Sequence, residues 1–245
     1  MLQPYKEFQM KVIRKTATLG IIFVIFASSL ACGVSSKHFH ACTNNEFDST
    51  STIVLVTGFE PFGVYEINPS QLIAETLDGQ YIEGAEIVGL VLPVDFDESV
   101  EIVTQAIEDY NPVLVISTGL SARTNKINVE KCGLNLKKLP RNESLWFIPR
   151  RLDPCGPIIR LSPLHTVKIV QEIRKAGIPA CSSLYAGMYV CNAVLYGTLG
   201  YIDEHEIPTQ AGFIHVPLLT SQDPDGMDLE TMVEAVKLAI KTSLN

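Results

Sequence analysis

The sequence predicts an α/β fold, with a mostly parallel sheet that carries helices on both faces. Short apolar segments rich in β-branched residues alternate along the chain with longer segments whose apolar residues recur at helical spacing. Several of these segments end at a glycine, as at Gly58, Gly119 and Gly177. Strands that alternate with helices form parallel sheets, and such sheets are buried by helices on both faces.

The predicted elements follow one another in a regular order. They are strand 53–57, helix 69–77, strand 86–93, helix 95–110, strand 113–117, strand 130–136, helix 164–176, strand 180–185, helix 190–201, strand 212–216 and helix 228–244. Pro69 fits the first turn of its helix, where an amide N–H has no partner to lose. Asp97 is the predicted cap of the helix that follows it. Three loops with candidate functional residues directly follow predicted strands: GFEPFG at 58–63, STGLSAR at 117–123 and the turn before Cys191. Sites in open α/β sheets form at the carboxyl ends of strands.

Composition and charge argue against several classes of function. The chain has a formal net charge of -8 and no basic cluster beyond its N-terminal segment, which argues against a nucleic-acid partner. None of the cysteines forms a CxxC pair and no HExxH motif occurs, so the sequence gives little support for a zinc site. The cysteines are either paired in disulfides or small buried apolar residues. The second interpretation is favoured for Cys132, Cys155 and Cys181.

The N-terminus resembles a secretory signal. Basic residues precede an apolar run at 19–31, which is short for a membrane-spanning helix. The run ends in a sequence that resembles a bacterial lipobox before Cys32, although Ser29 stands where an aliphatic residue is expected. Lipid attachment at Cys32, cleavage without lipid and an uncleaved membrane anchor are three open outcomes. The prediction is export to the periplasm or cell envelope. The predicted organisation is a signal-like segment at 1–31, a polar tether at 32–51 and a folded domain at 52–245.

Two residues in the predicted domain suggest nucleophilic chemistry. Cys191 falls in the first turn of a predicted helix, where the positive end of the helix dipole favours a thiolate. His215 stands alone at the end of an apolar strand, and a cysteine nucleophile needs an imidazole to move its proton. Each also has a purely structural interpretation, as a buried cysteine and a hydrogen-bonded core histidine. Glu130 is a candidate to orient the imidazole, but the residues alone do not single it out among the acids.

The chain from about residue 52 to residue 242 resembles the pyroglutamyl peptidase I family, the C15 family of cysteine peptidases. The resemblance is spread over ordered blocks, and their combination is far more specific than any one of them. The blocks are VTGFEPFG at 56–63 with NPS at 68–70, LPVDF at 92–96, residues 119–135, AGIPA at 176–180, AGMYVCN at 186–192 and GFIHVP at 212–217.

The resemblance implies a reaction and a set of residues. Cys191 matches the nucleophile, His215 the general base and acid, and Glu130 the residue that orients His215. The implied activity is release of N-terminal pyroglutamate from peptides through a thioester, with no metal and no cofactor. The implied fold is a three-layer α/β/α sandwich with a mixed sheet. Family members are usually cytoplasmic, which is the alternative to export, and microbial members often form tetramers, so a homo-oligomer is a further expectation.

Four more residues are candidates for substrate binding. Phe59 and Phe62 are similar to the phenylalanines that contact the substrate ring in the family, although ordinary core packing is the alternative for each. Asn68 is expected to fix the loop that carries them. Arg123 is expected to stabilise negative charge in the site, with a surface arginine as the alternative. An apolar slot with few hydrogen-bonding groups suits a neutral lactam ring.

Two positions depart from the family pattern. Ala193 stands where histidine is common, and Met188 stands where threonine is common. These departures leave a second function open, a non-catalytic family member that binds pyroglutamyl or similar lactam-capped ligands. A thiol amidase with a different capped substrate is a third. The intact set of Glu130, Cys191 and His215 favours the peptidase.

Overall fold

The computed structural model describes residues 52–138 and 148–245. The signal-like segment at 1–31, the tether at 32–51 and Cys32 lie outside the described residues. Within the described ranges, no helix has the length and apolar character needed to cross a membrane.

The described elements alternate along the chain. The strands are β1 (Ile53–Phe59), β2 (Tyr81–Ile82), β3 (Ala85–Leu92), β4 (Leu114–Leu120), β5 (Ile127–Glu130), β6 (Cys132–Leu134), β7 (Ile159–Leu161), β8 (Ala180–Ser183) and β9 (Gln210–Val216). The helices are α1 (Pro69–Leu77), α2 (Glu98–Tyr110), α3 (Thr166–Lys175), α4 (Val190–Glu204) and α5 (Leu229–Leu244).

One mixed sheet holds seven of these strands in the order β2-β3-β1-β4-β9-β5-β8. The β1–β3, β1–β4, β4–β9 and β5–β8 pairs are parallel, whereas β2–β3 and β5–β9 are antiparallel. Strands β6 and β7 form a separate antiparallel pair. The predicted mixed, mostly parallel sheet is therefore confirmed.

Helices cover both faces of the sheet. Alternate residues of β1 enter different cores, since successive side chains of a strand point to opposite faces. Val54 and Val56 pack with residues of α1, α3 and α5. Leu55 packs on the other face with residues of α2 and α4. The three-layer α/β/α sandwich is confirmed, and α4, which bears the candidate nucleophile, lies on the second face.

Two local predictions are wrong. The predicted strand at 130–136 is interrupted, because Glu130 ends β5 in the large sheet and Cys132 begins β6 in the small one. Lys131 lies between the two strands. Its N–H donates to the carbonyl of Ser183, and its carbonyl accepts from the N–H of Ser162.

The second wrong prediction concerns the cap of α2. Asp97 already has a helical backbone and its side chain makes no cap hydrogen bond. Asp95 performs this role, because its Oδ1 accepts from the N–H groups of Asp97 at 2.9 Å and Glu98 at 3.0 Å. These two hydrogen bonds stabilise the ionised carboxylate and lower the pKa of Asp95, and the bond from Glu98 has the larger effect.

Candidate active site

Glu130 and His215 meet across two neighbouring antiparallel strands. In the β5–β9 register, Glu130 pairs with Phe213 and Asn128 pairs with His215, so Glu130 and His215 are diagonal neighbours on one face. Nδ1 of His215 lies 2.8 Å from Oε1 of Glu130, the distance of a short charge-assisted hydrogen bond. Glu130 is 2% exposed. A buried carboxylate in this position fixes the orientation of the imidazole ring.

Cys191 is presented by the first turn of α4. The turn before it contains Gly187 with a φ of 82°, a left-handed conformation that glycine adopts without strain. The N–H groups of Asn192 and Ala193 both bond to the carbonyl of Tyr189, which begins the helix. The N–H groups of a first helical turn have no partner within the helix and create a positive potential. Cys191 belongs to this first turn.

Gly119 lets the sulfur approach the sheet. Residue 119 in β4 pairs with His215 in β9. A Cβ atom placed on Gly119 would lie 2.8 Å from Sγ of Cys191 and 2.8 Å from Cζ of Phe213, and neither separation is tolerated between such atoms. Sγ therefore packs directly against the backbone of the strand beside His215. The close approach brings Cys191 to the same patch of the sheet as the imidazole.

The charges of these groups are coupled. Burial on its own lowers the pKa of His215, but the charge of Cys191 and a hydrogen bond with it, followed by the bond and charge of Glu130, outweigh burial. Together they raise the pKa of His215 from 6.5 to about 10. The site thus favours the protonated imidazole, which lies between the sulfur of Cys191 and the carboxyl group of Glu130.

The two candidate ring-binding phenylalanines lie in different environments. Phe59 ends β1 and is 3% exposed, with its ring centroid 6.5 Å from that of Phe213 in the core beneath the site. Phe62 lies in the following loop, is 37% exposed, and packs edge-on against Tyr65 at 5.8 Å. Phe59 is therefore part of the core next to the site, whereas Phe62 offers an accessible ring.

Asn68 fixes the loop between β1 and α1. Its Oδ1 caps α1 by accepting from the N–H of Ser70 at 3.1 Å and from its hydroxyl at 2.8 Å. Its Nδ2 donates to the carbonyl of Glu60 at 3.0 Å. One buried side chain thus joins the start of α1 to the loop that carries Phe62.

Arg123 lies apart from the other candidates. It is exposed in the turn after β4 and lines a polar cleft of about 290 Å³ with Asp223 and Asp225. Among the described residues, it forms no hydrogen bond or ion pair with Glu130, Cys191 or His215.

Two other observations bear on the chemistry. Cys132, Cys155, Cys181 and Cys191 are all free, and the thiol of Cys181 donates to Oδ1 of Asn128. In the part of the chain that the structure describes, no cluster of three or more histidine, cysteine or acidic side chains is arranged to hold a metal ion.

Sequence reasoning assigned no role to Gly119 or Asn192. Both lie inside the blocks that carry the family resemblance, but neither residue type indicates chemistry by itself. Their contacts depend on how β4 and β6 approach α4, which local sequence patterns do not specify.

A cysteine on a helix N-terminus, beside a histidine that is bonded to a buried carboxylate, is typical of hydrolases that form an acyl-enzyme. The family model described as Peptidase C15, Pyroglutamyl peptidase, matches residues 52–245. The chain belongs to this family.

Named relatives agree over most of the chain. The pyrrolidone-carboxylate peptidase of Pyrococcus furiosus is 37% identical over 202 residues, which cover 78% of this chain and 97% of the relative. Pyrrolidone-carboxylate peptidase 1 of Caldanaerobacter subterraneus is 38% identical over 195 residues, covering 77% of this chain and 96% of the relative.

Solved structures give the same result. The pyrrolidone carboxyl peptidase from Thermococcus litoralis has a TM-score of 0.74 at 34% identity and covers 79% of this chain and 93% of its own. The Bacillus amyloliquefaciens pyroglutamyl peptidase I has a TM-score of 0.73 at 32% identity, covering 79% of this chain and 97% of its own.

Proposed function

We propose that the chain is a cysteine exopeptidase that releases N-terminal pyroglutamate from peptides, with Cys191 as nucleophile, His215 as general acid and base, and Glu130 as the residue that orients His215. The observation that carries this proposal is the 2.8 Å bond between His215 and Glu130 beside a helix-borne cysteine. Membership of the pyroglutamyl peptidase family supplies the substrate class and the assignment as a hydrolase.

The first step forms a thioester. The Cys191 thiolate attacks the carbonyl carbon that joins pyroglutamate to the next residue, and the oxygen takes up the negative charge. Backbone N–H groups at the start of α4 that precede those bonded to Tyr189, such as the N–H groups of Val190 and Cys191, stabilise that charge. The imidazolium of His215 then donates its proton to the departing amine as the C–N bond breaks. The shortened peptide leaves with a free amino terminus, and His215 is left neutral.

The second step releases the product. Neutral His215 takes a proton from a water molecule as the water oxygen attacks the thioester carbonyl. The C–S bond breaks and the sulfur departs as a thiolate, which restores the ion pair with the imidazolium. Pyroglutamate leaves as the free acid. Glu130 orients the ring and stabilises its cationic form in both steps.

The substrate ring is neutral, because its lactam has no amine to bind through charge. We propose that Phe62 covers the ring from the loop, while Phe59 supports the pocket from the core. Asn68 holds the loop in place through its bond to Glu60. Arg123 is left out of this proposal, because it lies in the separate cleft with Asp223 and Asp225.

A panel of capped aminoacyl fluorophores tests the reaction and its specificity. The proposal expects turnover of the pyroglutamyl compound and little turnover of acetyl or prolyl compounds, since these lack the lactam ring. Equal turnover of all three would indicate a less selective thiol amidase. Binding of the pyroglutamyl compound without release of fluorophore would indicate the non-catalytic alternative, which the Glu130–His215 bond does not favour.

Export is a further proposal, supported by the basic and apolar pattern of residues 1–31. In this proposal, residues 32–51 tether the catalytic domain at 52–245, and lipid at Cys32 or an uncleaved anchor attaches the chain to a membrane. N-terminal sequencing of protein from separated cell fractions tests it. An intact Met1 or Met10 in the soluble cytoplasmic fraction would overturn export. A homo-tetramer, implied by the family, is tested by analytical ultracentrifugation.

A further inference from the structure

Asn192 directly follows the proposed nucleophile and is fully buried. Its side-chain amide makes three hydrogen bonds, all to the backbone of one segment. Oδ1 accepts from the N–H of Leu134 at 2.8 Å, and Nδ2 donates to the carbonyl oxygens of Leu134 at 2.8 Å and Leu136 at 2.9 Å. Both amide protons are used, so the orientation of the group is fully determined.

The segment that Asn192 holds is the direct continuation of the strand that bears the acid. Glu130 ends β5, and β6 begins only two residues later at Cys132. Strand β6 runs close against α4, because a Cβ on Gly133 would lie 2.8 Å from both Cα and N of Tyr196. Asn192 therefore connects the helix of the nucleophile to the chain that positions Glu130.

The turn before the nucleophile is anchored to the same segment. The N–H of Lys138 donates to the carbonyl of Met188 at 2.8 Å, and the N–H of Ala186 donates to the carbonyl of Cys132 at 3.4 Å. The backbone before Cys191 and the side chain of the residue after it are thus both bonded to residues 132–138. Asn192 is the side chain that makes this connection within the helix itself.

We propose that Asn192 is a positioning residue, which sets the sulfur of Cys191 relative to the His215–Glu130 pair. The inference rests on the proposed function, and it assigns to Asn192 no contact with the substrate. Reacting groups must be held to within about 0.5 Å of their productive geometry. Misplacement by about 1 Å costs on the order of 100-fold in rate. A rigid amide bonded to three backbone atoms is suited to this task.

Asn135 provides a matched control in the same chain. It is 2% exposed, and its side chain also makes three bonds to backbone atoms. Nδ2 donates to the carbonyls of Asp153 and Gly156, while Oδ1 accepts from the N–H of Asp153. These bonds hold the loop at 153–156 instead of the helix of Cys191. Asn192→Ala and Asn135→Ala therefore remove the same number and type of bonds.

The test compares these two variants below their unfolding temperatures. We measure Tm, kcat and KM with a pyroglutamyl fluorophore, and the rate of alkylation at Cys191 by iodoacetamide, read by mass spectrometry of its peptide. We expect comparable falls in Tm. Asn192→Ala is expected to lower kcat about 10- to 100-fold, to change KM less than about threefold, and to slow alkylation. Asn135→Ala is expected to change kcat less than about threefold.

A second variant keeps the test valid if Asn192→Ala does not fold. Asn192→Asp preserves the shape and the acceptor for Leu134, but it turns a carboxylate oxygen toward two carbonyl oxygens. The protonated acid can donate to one of them, so we expect its kcat relative to wild type to rise as the pH falls. The ratio is taken per folded molecule at each pH, because ionisation of the buried aspartate also lowers stability. A flat ratio for the folded protein would contradict the positioning role.

Failure of this inference is distinct from failure of the proposed function. Equal losses of kcat and of alkylation rate in Asn192→Ala and Asn135→Ala would overturn the positioning role of Asn192. A folded, reduced wild type without pyroglutamyl turnover would overturn the proposed function. The alkylation rate requires no substrate, so it tests the position of the sulfur in either case.

Discussion

The imidazole of His215 is bonded to Glu130 across a strand pair in which the two residues are not direct partners. Glu130 lies opposite Phe213 in the register, two positions from His215, and its Oε1 still reaches Nδ1 at 2.8 Å. The antiparallel arrangement of β5 and β9 makes this diagonal contact possible. The candidate site therefore depends on sheet register as much as on residue identity.

Glu130→Gln tests that contact. Glutamine keeps the volume and can accept from Nδ1, but it no longer stabilises the charged ring, so we expect kcat to fall about 10²- to 10⁴-fold. KM should change little, because Glu130 is buried beneath the site. Glu172→Gln, at a half-buried carboxylate that bonds Lys175 away from the site, serves as the control. An active Glu130→Gln enzyme would show that the carboxylate does not support the imidazolium.

Stability should depend on pH through His215. Its pKa is raised from 6.5 in the reference state to about 10 in the folded protein. The protonated ring therefore adds stability that is complete below about pH 6.5 and is lost as the pH rises through about 10. Urea unfolding across this range, with wild type and His215→Gln, checks the prediction. The stability difference between the two proteins should shrink at high pH, and a difference that grows would contradict it.

Gly119→Ala tests the space occupied by the sulfur. The added methyl group would lie 2.8 Å from Sγ of Cys191 and 2.8 Å from Cζ of the buried Phe213, so both contacts must be relieved. The sulfur moves more easily, and we expect kcat to fall about 10- to 100-fold while the protein still folds. Gly197→Ala, which crowds Val100 at 2.6 Å instead, is the control. Equal kcat in the two variants would show that the sulfur does not need this space.

Two substitutions of Asn68 distinguish its contribution to the helix cap from its contribution to the loop. Asn68→Ala removes both functions, and we expect a loss of about 1–2 kcal/mol in unfolding free energy together with a higher KM. Asn68→Asp keeps the acceptor for Ser70 but loses the bond to Glu60. Asn68→Asp should raise KM as much as Asn68→Ala does, but it should lower the unfolding free energy less. An unchanged KM in both variants would show that the position of this loop does not affect substrate binding.

Much of the fold follows from local patterns. The β-branched run at 53–57 predicts a buried strand, and Pro69 after Asn68 predicts the start of α1. The break at Lys131 was not predictable, because it depends on pairing with β8 and β7, which lie far away in sequence. The cap at Asp95 was missed because two aspartates precede the helix and only backbone geometry distinguishes them.

The candidate site was predictable in part. Residue type and placement indicated Cys191 at a helix start and His215 at a strand end. Glu130 was indicated only by family resemblance, because its role depends on the antiparallel register between β5 and β9. Gly119 and Asn192 became visible only once the approach of α4 to β4 and β6 was known.

The central claim is that Cys191 attacks the pyroglutamyl carbonyl. The most direct test is the release of a fluorophore from a pyroglutamyl amide by reduced wild type and by Cys191→Ala. We expect turnover by the wild type and none by the folded variant. Release by Cys191→Ala at the wild-type rate, or no release by a folded and reduced wild type, would contradict it.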